Sequence, residues 1–360
     1  MSVIIHPRPS PVAAAMYTLR DLDADTIVLH GPSGCCFRPA RLLERDGVRV
    51  VTSALLEDDL VFGSEGKLSK VLKRVDEMFS PRLIGLVGSC ASMIIGEDLK
   101  KAARDAGLLN KTICCNVHGG SGDNTVGAIA VLREAREMGL ISDEEFNRQR
   151  FMLERATRLE RERGTARSEY IENWPGDRPK EIAKKLIETF ASGGEVAFVL
   201  NAKKETSFLY ADLALALASA RRRFGGSLRV LANLDPKVGL PRVRSYSVKI
   251  LEEFEAEGVV VDSITGGIDE YPISGERAKE LLVRDPPDLA VISGIPHAVA
   301  VEGVMKTVAV SVGSRAVSNL KSLGYDYVVA ERDAHQVSLG EKKQIRRSIL
   351  GQALREEAAH

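Results

Sequence analysis

Short β-branched runs recur along the chain, separated by longer amphipathic stretches, the pattern of parallel sheets covered by helices on both faces. In the first third, strands are expected at Thr26–Leu29, Val48–Thr52, Leu83–Val87 and Thr112–Asn116. Helices are expected near Arg41–Glu44, Lys67–Phe79, Ile95–Ala106 and Asn124–Met138. From Ser142 to Glu181 the character changes: Glu and Arg dominate (LERATRLERERGTARSEY), no strand pattern shows, and Trp174-Pro175-Gly176-Asp177 supplies a break. A second series follows, with strands expected at Val196–Leu200, Leu228–Leu231, Val259–Val261, Leu289–Ile292, Val308–Val312 and Tyr327–Ala330. The fold expected is two doubly wound, Rossmann-like α/β domains with parallel sheets. The boundaries read as 1–140 for the first domain, 141–185 for a helical charged connector, 186–339 for the second domain and 340–360 for a surface-lying C-terminal helix.

Charge narrows the partners. Fifty basic side chains balance fifty acidic ones in 360 residues, which argues against a nucleic acid or an anionic membrane as the main partner. The apolar run Val3–Ile5 is far short of a signal-peptide core, and Phe208–Ala220 is interrupted by Asp212 and too short for a membrane span. Five cysteines with two vicinal pairs make a poor disulfide framework, so a reducing cytoplasm is the expected location. Four Gln and eight Asn among 360 residues fit a heat-adapted source.

In open parallel sheets ligands gather at the carboxyl ends of strands. Cysteines fall at three such places: His30-Gly31-Pro32-Ser33-Gly34-Cys35-Cys36, Gly88-Ser89-Cys90, and Cys114-Cys115-Asn116-Val117-His118-Gly119-Gly120. Backbone N–H groups at strand-to-helix turns are expected to lower a thiol's pKa and suit metal ligation, and Gly34 and Gly88 let a bulky group approach. An iron–sulfur cubane asks for four thiolates. Inert core packing is the competing reading of any one cysteine, and fits Cys114 and Cys115 best. Zinc is disfavoured, because Cys35 and Cys90 stand 55 positions apart and no CxxC occurs. A cysteine nucleophile activated by His30 or His118 stays open. There is no GxxxxGK[ST] and no GxGxxG between a strand and a helix, so ATP is not expected on this chain.

Three motifs, HGPSGC (His30–Cys35), EDDLVFGSEGKL (Glu57–Leu68) and GSCASMIIGED (Gly88–Asp98), resemble the catalytic subunits of nitrogenase and nitrogenase-like reductases, in order and spacing, over roughly residues 10 to 140. The RPSPVAAAMYTLRDL opening and the doublet in HGPSGCCF look closest to the NifD-like branch that acts on Ni-sirohydrochlorin a,c-diamide, in the biosynthesis of a nickel tetrapyrrole coenzyme. The resemblance implies a nitrogenase component 1-like fold. It also implies an ATP-dependent reductive cyclase in which a NifH-like ATPase binds the ATP and delivers low-potential electrons through an intersubunit 4Fe–4S cluster. Nickel enters only as part of the tetrapyrrole, whose reduction accompanies closure of a lactam ring.

Carried over by position, the family's two matching ligands are Cys35 and Cys90. A further family cysteine upstream has no thiol here, where the chain reads Arg8-Pro9-Ser10-Pro11. A homodimer restores the count, Cys35 and Cys90 from each copy giving four thiolates on a twofold axis. The alternative recruits Cys36 or Cys114 within one subunit. Proton delivery to a macrocycle calls for groups titrating near neutrality, and His118, His30 and His297 are the candidates, with turn-capping the rival role for His30 and loop packing for His297. His335 reads as ordinary surface. Lys203, Lys204 and Arg242 are candidates for the tetrapyrrole's carboxylates, and Glu57, Asp58 and Asp59 for the surface that steers a basic ATPase. Two other readings remain: a scaffold for a nascent metal cofactor, or a reductase of another tetrapyrrole. A metal-free cysteine enzyme is a third.

Overall fold

The structure is a computed structural model and describes residues 10–120, 124–166, 173–340 and 342–359. Val3–Ile5, Arg8, Pro9 and residues 121–123 of the loop after His118 lie outside the described residues. The chain divides into two compact units, residues 7–154 with Leu240–Arg242, and residues 155–239 with 243–360.

The first unit is built on four parallel strands, β1 (Thr26–His30), β2 (Arg49–Thr52), β3 (Ile84–Gly88) and β4 (Thr112–Asn116), in the order β2-β1-β3-β4. Registers Thr26↔Arg49, Thr26↔Ile84 and Ile84↔Thr112 bring the carboxyl ends His30, Gly88 and Asn116 level. Among the described residues eight helices precede, separate or follow these strands: α1 (Pro11–Asp21), α2 (Phe37–Arg45), α3 (Glu57–Phe62), α4 (Glu65–Phe79), α5 (Cys90–Ile94), α6 (Leu99–Asp105), α7 (Asn124–Glu137) and α8 (Asp143–Glu162), α8 crossing the division at 154. Leu68, Leu72 and Val75 of α4 and Leu99, Ala102 and Ala103 of α6 pack with Val28, Leu86 and Cys114 in one core.

Helices α1, α3, α5 and α6 depart from the sequence expectation. α1 was not expected; it starts where the Ser10 hydroxyl accepts the Ala13 N–H (3.2 Å) and Pro11 takes the first turn. The helix expected over Ile95–Ala106 starts only at Leu99: Ile95 and Gly96 (φ +74°) end the short α5, and α6 begins where Asp98 accepts the Lys101 N–H at 3.0 Å.

The second unit carries six parallel strands: β5 (Glu195–Asn201), β6 (Ser227–Ala232), β7 (Ser263–Ile264), β8 (Leu289–Gly294), β9 (Thr307–Val312) and β10 (Tyr327–Glu331). Their order β10-β9-β8-β5-β6-β7 is the Rossmann arrangement, reversing direction between β5 and β8. Val196–Asn201 of β5 and Leu289–Gly294 of β8 are buried throughout, as a sheet covered on both faces requires. Val259–Val261 is not a strand; Val260 is 73% exposed and only Ser263–Ile264 pairs at that edge. The C-terminal helix begins at Ile349 rather than 340, and it is no surface appendage: Leu350 and Leu354 are fully buried, and Arg355 pairs with buried Asp212 at 2.7 Å.

Candidate metal centre

The order β2-β1-β3-β4 changes direction between β1 and β3, so the crevice expected to take ligands lies beyond the carboxyl ends of those two strands. The loop after β1 carries Cys35 and the turn after β3 carries Cys90. His30 and Gly88 are register partners, and the Ser89 N–H donates to the His30 carbonyl at 3.0 Å, so the two loops leave the sheet side by side. Both thiols are half-buried. A Cβ on Gly31 would lie 2.3 Å from Ser89 Oγ and 3.8 Å from Cys35 Sγ, a packing that only glycine permits.

The third loop reaches Cys90. After β4 the chain runs through Val117 and His118, and the Gly119 N–H donates to Cys90 Sγ at 2.9 Å. His118 is exposed, and its Nδ1 accepts the Gly120 N–H at 3.0 Å. Cys36 holds a left-handed backbone (φ +51°) at the start of α2, its Sγ 4.0 Å from Ser10 Oγ. Cys114 and Cys115 lie within β4 and are buried; Cys114 packs into the α4/α6 core and its thiol faces the Leu99 carbonyl at 3.8 Å.

The Cys35 thiol is raised rather than lowered, against the expectation for a strand-to-helix turn. Burial pushes Cys35 up, and the neighbouring Cys90 charge adds to it. Burial likewise raises Cys36, and it pushes Cys114 up to about 12. Cys90 is thus a near neighbour of Cys35, as two ligands of one metal group must be. Among the described residues no three or more His, Cys, Asp or Glu side chains converge as a metal site, so the described part of one chain offers the pair no further ligand of these types. A Cβ on Gly34 would meet nothing within 4 Å, leaving open space beside Cys35. Gly88 has another reason: a Cβ there would sit 2.1 Å from Asn116 Oδ1 and 2.7 Å from Ser92 Oγ, so it serves packing of the strand ends rather than approach of a ligand.

The histidines divide. His30 is fully buried, Nδ1 2.9 Å from Ser53 Oγ and Nε2 3.3 Å from Ser64 Oγ and 3.7 Å from Glu97 Oε2, so it has no face for a substrate. Burial holds its pKa below the usual value against the opposing pull of Glu97. His297, in the second unit, pairs through Nε2 with Glu160 at 3.1 Å. His335 is not ordinary surface; its Nδ1 bonds the buried Glu205. Of the basic candidates, Arg242 pairs with Asp23 at 2.9 Å, Lys203 lies over the Tyr271 ring at 5.8 Å, and Lys204 has φ +49°. Asp59 caps α3 by accepting the Leu56 N–H at 2.8 Å and pairs with Lys67 at 2.5 Å, whereas Glu57 and Asp58 are exposed. Sequence reasoning missed Glu97, Ser53 and Ser64; the GED that ends the third motif was the available signal for Glu97.

Nitrogenase component 1 type oxidoreductase is the description of a family model that matches residues 10–145. Over 354 residues, and 98% of each chain, the sequence is 52% identical to the Ni-sirohydrochlorin a,c-diamide reductive cyclase complex component CfbD of Methanothermobacter thermautotrophicus. This chain belongs to the CfbD family. CfbD of Methanocaldococcus jannaschii is 46% identical (98% of this chain, 99% of that one), and CfbD of Methanosarcina acetivorans is 43% identical (99% and 97%). CfbD proteins are named as components of a reductive cyclase complex, so the family is one of enzyme components. No helix among the described residues is long and apolar enough to cross a membrane.

Proposed function

We propose that this chain is the catalytic subunit of a reductive cyclase acting on Ni-sirohydrochlorin a,c-diamide, with a 4Fe–4S cluster held by Cys35 and Cys90 of two copies and with electrons supplied by a NifH-like ATPase. The observation that carries the reading is the pair of half-buried thiols at the direction change of the first sheet, in a chain alike to CfbD over nearly its whole length. The donor set fits a shared cluster: two thiols per chain, no further ligand converging among the described residues, and room beside Gly34. When bound, such a cluster supplies one-electron transfer at low potential.

The chain's own groups then have distinct tasks. Cys35 and Cys90 are ligands, and the Gly119 N–H stabilises negative charge on the Cys90 sulfur. His118, exposed one residue before Gly119, is the proton donor this edge offers. Exposed Glu57 and Asp58, beside the exposed Val61 and Phe62 of α3, form the docking face for a basic ATPase surface with an apolar centre. Anaerobic incubation of the purified chain with the ATPase, ATP, a reductant and Ni-sirohydrochlorin a,c-diamide should give repeated turnover to a reduced, ring-closed tetrapyrrole. Binding of the tetrapyrrole without catalytic consumption of reductant would make the chain a scaffold instead.

A further inference from the structure

Beneath the two cysteine loops, four polar side chains from four segments meet out of solvent. His30 ends β1, five residues before Cys35; Glu97 follows α5, which Cys90 opens; Ser53 follows β2; Ser64 joins α3 to α4. All four are buried, between 0 and 6% exposed. Their donors and acceptors are matched except at Glu97 Oε2, which is buried without a hydrogen bond. Ser53 Oγ accepts the Gly31 N–H (3.1 Å), which leaves its hydroxyl proton for His30 Nδ1 at 2.9 Å. The imidazole proton is then on Nε2, directed at Ser64 Oγ (3.3 Å) and Glu97 Oε2 (3.7 Å). Ser64 in turn donates both its hydroxyl (3.1 Å) and its N–H to Glu97 Oε1. Burial keeps His30 neutral, consistent with a network held by hydrogen bonds rather than by an ion pair.

We propose that His30 and Glu97 are positioning residues that clamp the Cys35 and Cys90 loops in register, through Ser64, so that the two thiols meet a shared ligand at a fixed separation. His30 fixes the root of the first loop and Glu97 the exit of the second, and neither reaches solvent. A second strut, Ser89 N–H to His30 carbonyl, ties the same two loops at the sheet. The inference deepens the cluster reading above and rests on it for the identity of the ligand, but the clamp itself concerns the thiols alone.

The test reads the thiol pair without iron. In a Cys36→Ser background, which removes the vicinal partner of Cys35 and leaves Cys114 and Cys115 buried within β4, the metal-free chain is treated with phenylarsine oxide, a trivalent arsenical that needs two neighbouring thiols. Capture is read by intact mass as one arsenical per chain, and iodoacetamide labelling of Cys35 and Cys90 serves as the single-thiol control. Glu97→Ala should slow capture about tenfold or more while changing single-thiol labelling less than about twofold, because losing orientation penalises only the two-point reaction. Glu97→Gln keeps an acceptor for Ser64 and should restore capture to within about threefold. If Glu97→Ala does not fold, Ser64→Ala carries the same expectation. Parental capture in Glu97→Ala or Ser64→Ala, equal loss in Glu97→Gln and Glu97→Ala, or no capture in the parent would each overturn the clamp. An intact clamp in a chain that never binds iron would refute the cluster reading and leave this one standing.

Discussion

At the carboxyl edge of the four-stranded sheet, three successive loops present or cover thiols; at the same edge of the six-stranded sheet the loops end in amides, hydroxyls and paired ions. Asn201 at the end of β5 donates to the Tyr271 carbonyl at 3.1 Å, and Asn233 after β6 donates to the Ala202 carbonyl at 2.8 Å. Tyr325 closes the loop after β8 onto Pro296 O at 2.6 Å, and His297 and His335 are taken up by Glu160 and Glu205. The second edge therefore uses its polar groups to fix its own backbone. At the first edge that work is moved one layer down, to His30, Ser53, Ser64 and Glu97, and Cys35 and Cys90 are left half-buried at the top. The contrast separates the part of a doubly wound domain that holds shape from the part left for chemistry.

The largest expected effect breaks the stitched unit without touching the cysteines. Phe198 is fully buried at the centre of β5, and Phe198→Ala should cost about 3–5 kcal/mol of stability in denaturant unfolding. Next come the two glycines of the cysteine edge. Gly88→Ala puts a methyl into Asn116 and Ser92 and should cost about 1–3 kcal/mol. Gly34→Ala points into open space and should change stability by less than about 0.5 kcal/mol, so equal costs in the two would erase the distinction between packing glycine and open glycine.

How much of this was legible follows from what periodicity reports. Nine of the ten strands stood out as β-branched runs, because parallel strands buried on both faces must be apolar throughout. β7 was displaced, since Val259–Val261 has strand composition but no partner to pair with, while Ser263–Ile264 has the partner without the composition. The C-terminal helix looked superficial because its burial comes from two leucines and an ion pair to Asp212, a contact 143 positions away. At the site, Cys35 and Cys90 were named by motif and position. His30 was credited with a chemical role beside its structural one, because a histidine's exposure depends on three segments that sequence does not bring together.

A smaller effect tests that reassignment of His30. Its folded pKa is below the usual 6.5, so the unfolded chain takes up a proton first as pH falls. Its contribution to stability is thus present above about 6.5 and is lost as pH drops through that value toward the folded one. Urea midpoints measured at pH 7.5 and 5.5 should fall more in the parent than in His30→Asn; identical falls would mean the imidazole is not buried neutral. The smallest effect concerns the exposed helix α3. Exchanging both Glu57 and Asp58 for Lys should slow association with the ATPase several-fold at low salt and leave the cysteines unaffected, with the difference vanishing at high salt.

The central claim is that each chain supplies two thiolates to a cluster shared by two copies, and iron counting under anaerobic conditions tests it directly. Purified, reconstituted protein should carry about two irons and two sulfides per chain, run as a dimer, and lose nearly all of both in Cys35→Ser and in Cys90→Ser. About four irons per chain in a monomer, or full iron content in either variant, would contradict the account.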